Sequence, residues 1–235
     1  MSSDWLAVII GNSRYHWAYF HQQELQQSWD SEAGIIPPEW EELPLYLVSV
    51  VEAKNLLFQR HIDLRIIKLE DIPLKGIYST MGVDRALALW GAINNWGYPC
   101  LVIDGGTALT LTAANNQGEF SGGAILPGLR LQLESLATST ASLPRVHLSS
   151  QLPLLWAKST PEAIQSGVIY TVIQGIRYFL VNWWEQFPKS PVIFTGGDGE
   201  ILSKYLIELN TAKADLLYFE PKLIFWGLKT IVNEN

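Results

Sequence analysis

Two stretches of this chain, about ninety residues apart, run through the same succession of elements. In the first, an apolar strand at 5–10 meets the turn Gly11-Asn12-Ser13 and a second strand returns at 15–20. A polar turn at 21–23 then leads into a third strand at 24–29. In the second, a strand at 100–104 meets Gly105-Gly106, a strand returns at 108–113, and Asn115-Asn116-Gln117-Gly118 makes the next hairpin turn. Connections this short force antiparallel neighbours, because a parallel crossover needs about a dozen residues or more. The repeat predicts a duplicated α/β domain, divided into 1–97 and 98–235, with a cleft between the copies.

The remaining segments fit that plan. Strands are expected at 45–51 and 65–69, with a helical stretch at 53–61 between them. Ala86, Leu89, Trp90, Ile93 and Trp96 recur at helical spacing on one face of a helix beginning near Ala86. Residues 122–128 read as a Gly/Pro turn, followed by a helix around Leu129, Leu133 and Leu136 and a Ser/Thr-rich loop at 138–142. Thr160-Pro161-Glu162 opens a long helix to about Gln186, with Thr160 expected as its N-cap. That helix is apolar around most of its circumference, so it should be buried, in an interface between two copies rather than as a central core helix. A strand at 191–195, the turn Gly196-Gly197-Asp198-Gly199, a helix at 201–209, a strand at 216–219 and a helix at 223–232 complete the chain.

Composition removes several classes of function. The formal charge is −7, with no basic run, so the Lys/Arg footprint of a nucleic-acid binder is missing. Cys100 is the single cysteine, which excludes an internal disulfide and a cysteine zinc site. His16, His21, His61 and His147 are scattered without ligand spacing. The run at 5–10 is too short for a signal peptide, and the most apolar stretch, 168–184, is interrupted by Gln174, Arg177 and Asn182. A soluble cytoplasmic protein, with no membrane partner, is expected.

Several turns have the chemistry to hold phosphate. Gly105-Gly106, Gly122-Gly123 and Gly196-Gly197 end or join apolar strands, where glycine lets backbone N–H groups approach an anion closely. Gly11-Asn12-Ser13-Arg14 adds a hydroxyl and a guanidinium. Neither a P-loop nor a dinucleotide fingerprint is present. In Gly82-Val83-Asp84-Arg85, Asp84 suits the N-cap of the next helix, whereas Arg85 opposes the helix dipole by about 0.3–1 kcal/mol unless it also grips an anion. A carboxylate beside such a guanidinium can equally act as a base next to an acidic substrate. Asp104, before Gly-Gly, is either a turn residue or an oxygen ligand for a hard cation near phosphate.

Taken in order, these segments resemble the type III pantothenate kinases of the acetate and sugar kinase/Hsp70/actin superfamily. Ile9-Ile10-Gly11-Asn12-Ser13-Arg14 is similar to the family's first phosphate loop, Asp-x-Gly-Asn-Thr, and Gly82-Val83-Asp84-Arg85 to its Gly-x-Asp-Arg motif. Asp104-Gly105-Gly106-Thr107-Ala108-Leu109-Thr110 resembles its second phosphate motif, 122–128 its glycine-proline turn, and Thr195-Gly196-Gly197 its adenosine-side turn. The resemblance implies two ribonuclease H-like (actin-like ATPase) domains with mixed sheets, and phosphorylation of pantothenate by Mg-ATP at the entry to coenzyme A synthesis. It also implies Asp84 as general base, with Tyr78, Gly82, Val83, Arg85 and Thr160 holding pantothenate, Thr160 from across a homodimer interface. Gly11, Asn12, Ser13, Arg14, Thr107, Gly196 and Gly197 would contact ATP, and Asp104 the monovalent cation, potassium or ammonium. The sequence departs from the family where Ile9 and Thr112 replace carboxylates. Those departures keep two alternatives open: a non-catalytic nucleotide- or metabolite-binding homologue, and another small-molecule kinase of the superfamily.

Overall fold

A computed structural model describes residues 4–234. The chain divides into two units, one running up to Asn95 and taking in the C-terminal segment from Leu223, the other spanning Trp96–Lys222. A single boundary between 97 and 98 therefore omits the return of the last helix to the first unit.

In the first unit, β1 (Asp4–Ile10), β2 (Tyr15–His21) and β3 (Glu24–Ser31) form an antiparallel meander, and β4 (Leu45–Ser49) and β5 (Leu64–Ile66) add to β1 in parallel. The sheet order is β3-β2-β1-β4-β5. β1 is the central strand and is buried on both faces, which accounts for its unbroken apolar run; edge strand β3 is largely exposed. One face packs Leu6, Val8, Ile10, Tyr15, Trp17, Leu45, Leu47 and Phe58 into a core, with Trp17 stacked on Trp29 at 5.9 Å. Elsewhere in this unit, Trp5 stacks on Phe20 at 3.9 Å.

The expected helix at 53–61 is a 3-10 segment, Glu52–Phe58, and only Arg65 and Ile66 of the expected 65–69 strand lie in β5, which starts at Leu64. Helix α1 (Val83–Trp96) starts three residues before Ala86. Its covered residues include Arg85, Ala86, Leu87, Ala88, Leu89, Gly91 and Ala92, whereas Trp90, Ile93 and Trp96 are only half-buried. Small residues lead inward because the partner of α1 is the chain's final helix, α5 (Leu223–Glu234), whose backbone runs against it at Gly91 and Gly227.

The second unit repeats the first. β6 (Cys100–Gly105), β7 (Ala108–Ala114) and β8 (Phe120–Pro127) form the meander, and β9 (Val192–Thr195) and β10 (Leu217–Phe219) extend it in parallel from β6. The order β10-β9-β6-β7-β8 is the first sheet's order read from the other end, so the duplication is explicit in the topology. Residues 122–127, expected as a turn, belong to strand β8. Their burial alternates strictly, and Gly122, at φ +141°, sits beside the bulge in the β7–β8 pairing.

Helices α2 (Leu129–Ser139), α3 (Thr160–Gln186) and α4 (Gly199–Glu208) pack on this sheet. α2 absorbs the start of the expected 138–142 loop. Thr160 is the first residue of α3 and Ser159 precedes it as N-cap, so Thr160 is not the cap. Within the chain only one stripe of α3 is covered, including Ile169, Ile173, Ile176 and Leu180, while Tyr178, Phe179 and Val181 face outward. No helix among the described residues is long and apolar enough to cross a membrane.

Candidate active site

Each unit presents its own set of glycine turns at the end of its central strand. In the first unit, the β1–β2 turn closes through Gly11 N–H donating to Arg14 O at 3.0 Å, with Asn12, Ser13 and Arg14 exposed or partly so. Arg14 pairs loosely with Asp30, at 3.6 Å. Lys54, which no local pattern singled out, reaches the same turn from the 3-10 segment. Its Nζ lies 3.5 Å from both Gly11 O and Asn12 O and 5.2 Å from the centre of the Tyr15 ring. Ile9, in the place of the expected carboxylate, is 3 % exposed and contributes only packing.

The 82–85 segment forms the first turn of α1, with the helix already closed by Ala86 N–H donating to Gly82 O at 3.2 Å. Asp84 is thus inside the helix rather than its cap. Its Oδ1 accepts from Arg85 N–H at 2.8 Å. A Cβ at Gly82 would stand 2.5 Å from that same Oδ1 and push the carboxylate out of place. Burial pushes the Asp84 carboxyl above the usual carboxylate range, against the opposing pull of the Arg85 backbone N–H and guanidinium. Arg85 is 7 % exposed and donates through Nη1 to the Tyr78 hydroxyl at 2.9 Å. So Tyr78, Gly82, Val83, Asp84 and Arg85 are one constellation: a basic carboxylate and a buried guanidinium oriented by a phenol. That is the chemistry for accepting a proton beside a bound anion.

In the second unit three turns converge. Gly106 N–H donates to Ala108 O, Gly128 N–H to Thr107 O at 2.9 Å, and Asp198 N–H to Gly105 O at 2.8 Å. Side chains are excluded from this junction: a Cβ on Gly128 would collide with Gly106 O, and one on Gly196, at φ +79°, with the Asp104 carboxylate. Thr107 is exposed at the turn, with Gly196 and Gly197 opposite. A half-buried carboxylate in a cradle of glycine backbone is a hard-oxygen donor set, which fits a cation near phosphate. Among the described residues no cluster of three His, Cys, Asp or Glu side chains offers a multidentate metal site. Thr112 is 1 % exposed inside the sheet. Asp198 and Arg130, missed in the sequence because they lie 68 residues apart, pair at 2.9 Å at the same junction.

Thr160 lies at the rim of an open groove of about 590 Å³ between α2 and α3 that is also lined by Gln132, Leu136, Ala163 and Gly167.

The family model described as type III pantothenate kinase matches residues 70–182. A type III pantothenate kinase from Nostoc sp. (strain PCC 7120) is 44 % identical over 263 residues, covering 99 % of this chain and 95 % of the relative. One from Synechococcus sp. (strain JA-3-3Ab) is 42 % identical over 234 residues, covering 97 % and 93 %. Among solved structures, a protein described as a Baf family transcriptional activator from Campylobacter jejuni superposes with a TM-score of 0.68 at 24 % identity, covering 98 % of each chain. A protein described as a 2-dehydro-3-deoxygalactonokinase from Sinorhizobium meliloti gives 0.62 at 12 %, covering 98 % and 96 %. At these identities the structural likeness shows the fold alone, and it is consistent with the duplicated ribonuclease H-like fold that the family resemblance implies.

Proposed function

The chain belongs to the type III pantothenate kinase family, and from that we propose that it transfers the terminal phosphoryl group of ATP to the primary hydroxyl of pantothenate. The product, 4'-phosphopantothenate, opens coenzyme A biosynthesis. The observation that carries this reading is the Tyr78–Arg85–Asp84 constellation on the first turn of α1.

Pantothenate offers a carboxylate and a primary alcohol. In this reading Arg85, held by Tyr78, takes the anionic end, and the Gly82-Val83 backbone borders the substrate. Asp84 accepts the hydroxyl proton as the new P–O bond forms. Its raised pKa makes it a better base than an ordinary aspartate. Phosphoryl transfer needs little covalent help, so the rest is positioning and charge neutralisation. The turns at Gly11, Asn12, Ser13 and Arg14, at Thr107 and at Gly196-Gly197 supply backbone donors and hydroxyls for the nucleotide.

Magnesium would be held mainly by ATP phosphates and water, because Ile9 offers no ligand. Asp104 would hold potassium or ammonium, whose positive charge would offset the phosphate oxygens. Thr160 would complete the pantothenate site from a second copy of the chain. The uncovered apolar face of α3 at Tyr178, Phe179 and Val181 supports such a homodimer.

The test is a coupled assay with ATP and magnesium, with pantothenate as sole acceptor, run with and without potassium. Potassium-dependent ADP release with formation of phosphopantothenate supports the proposal. Ile9 and Thr112, both buried and unable to touch a metal, favour one competing reading, a nucleotide-binding homologue without activity. Calorimetric binding of ATP with no turnover on pantothenate would establish it; turnover on a different hydroxylated acid or sugar would point to another kinase of the superfamily.

A further inference from the structure

Asp198 is the N-cap residue of α4, where an aspartate ordinarily accepts from the helix's own first-turn N–H groups. Here it makes no such bond. Its carboxylate, in a residue only 3 % exposed, turns instead to Arg130 Nε at 2.9 Å. Burial raises the Asp198 pKa and the neighbouring Arg130 guanidinium opposes that shift. Arg130, by contrast, leaves most of its side chain in solvent, 70 % exposed. Among the described residues its Nη1 and Nη2 groups meet no protein acceptor. A buried acid has given up its helix cap to fix the direction of an arginine whose forked end is left unfilled.

The place where that fork is held is informative. Arg130 follows Gly128 by two residues, and Gly128 is bonded to Thr107 in the phosphate turn. Asp198 follows Gly197 and is bonded to Gly105. The pair therefore joins the turn assigned to phosphate with the turn assigned to the nucleoside.

We propose that Arg130 is a nucleotide-binding residue whose Nη1 and Nη2 groups grip non-bridging oxygens of the phosphate nearest the nucleoside, with Asp198 as the residue that aims it. This rests on the assignment of these turns to ATP and goes beyond it in naming the recognised group. A guanidinium is always charged and matches a phosphate with two parallel donors, which lysine cannot do.

The experiment measures binding of ADP, AMP and adenosine by calorimetry, without pantothenate. It compares the wild-type chain, Arg130→Met, Arg130→Lys, and the double variant Arg130→Met with Asp198→Asn, which leaves no unpaired buried acid. The expected result is a loss of roughly 10- to 100-fold in affinity for ADP and AMP in both Arg130→Met chains, the size of a charge-assisted bond. A smaller loss is expected in Arg130→Lys, and none for adenosine in any of them. If the double variant binds ADP and AMP as the wild type does, while melting at a lower temperature, the pair is only a clamp between α2 and α4 and the proposal falls. Turnover on pantothenate is read separately in the wild type. ADP binding without turnover would remove the kinase reading and leave Arg130 standing, and turnover with unchanged ADP affinity in the Arg130 variants would do the reverse.

Discussion

Replacing Asp84 by Asn separates the cost of a base from the cost of a fold. The amide is isosteric, and its Oδ1 can still accept the 2.8 Å bond from Arg85 N–H, so the first turn of α1 keeps its geometry. What disappears is the capacity to take a proton. General-base contributions run to about 10²–10⁴-fold, or roughly 2.7–5.4 kcal/mol of transition-state stabilisation. Stability should move the other way. The Asp84 carboxyl titrates above its ordinary value because burial disfavours its charge. A raised folded pKa means that the native state binds the extra proton. The associated stability is full below the ordinary aspartate pKa and is lost as pH rises through the folded value. Above that folded value the wild type carries a buried charge that Asn does not. Coupled ADP-release assays should show kcat lower by at least ~10²-fold in Asp84→Asn, while thermal unfolding at pH 7 shows a Tm no lower than wild type. In the wild type the acid limb of kcat/KM should lie above the usual carboxylate range and vanish from the residual activity of the variant. Turnover within tenfold of wild type, or a Tm several degrees lower, would refute Asp84 as the base in this buried setting.

Three further outcomes follow from other features. Gly227→Ala should destabilise the chain by roughly 1–2 kcal/mol net, because a Cβ there stands 2.9 Å from the Leu87 carbonyl carbon and 3.1 Å from Gly91 N; backbone cannot rotate away, and overpacking outweighs the helix propensity gained. Urea unfolding monitored by the tryptophans measures it. Cys100 is fully buried and its thiol is pushed up to about 12, so it should resist a thiol reagent at pH 8 in the native state and react only on unfolding. Asp104→Asn should abolish the stimulation by potassium with little change in Tm, read from rates across a potassium titration; a full response in the variant would place the cation elsewhere.

The repeat was readable because strand and hairpin signals are local: an apolar run, a Gly or Asn turn, a returning strand. The errors arose where a local signal served a distant demand. Gly122-Gly123 looks like a turn, yet the residues pair with Ala113 and Thr112 of β7, and glycine is there to accommodate a bulge. Asp84 has the chemistry of a cap, but the helix begins earlier, at Val83, and places it inside the first turn. Of the apolar face read on α1, Ala86 and Leu89 are buried but Trp90, Ile93 and Trp96 are not fully so, because close approach of α5 at Gly91 and Gly227 favours small residues. The chemistry of the 82–85 and 104–107 segments was visible as short motifs. Lys54 and the Arg130–Asp198 pair were not, since each depends on contact between segments 40 or more residues apart.

The return of α5 to the first unit has a bearing on how the molecule is made. Synthesis delivers Trp96–Lys222 as an uninterrupted length, so that half can close its core while the ribosome is still at work. The half begun first must wait for Leu223, Phe225, Leu228 and Ile231 to emerge and cover α1. The unit whose strands come earlier in the chain is thus completed after the other, and truncation before Leu223 would leave α1 without its partner helix.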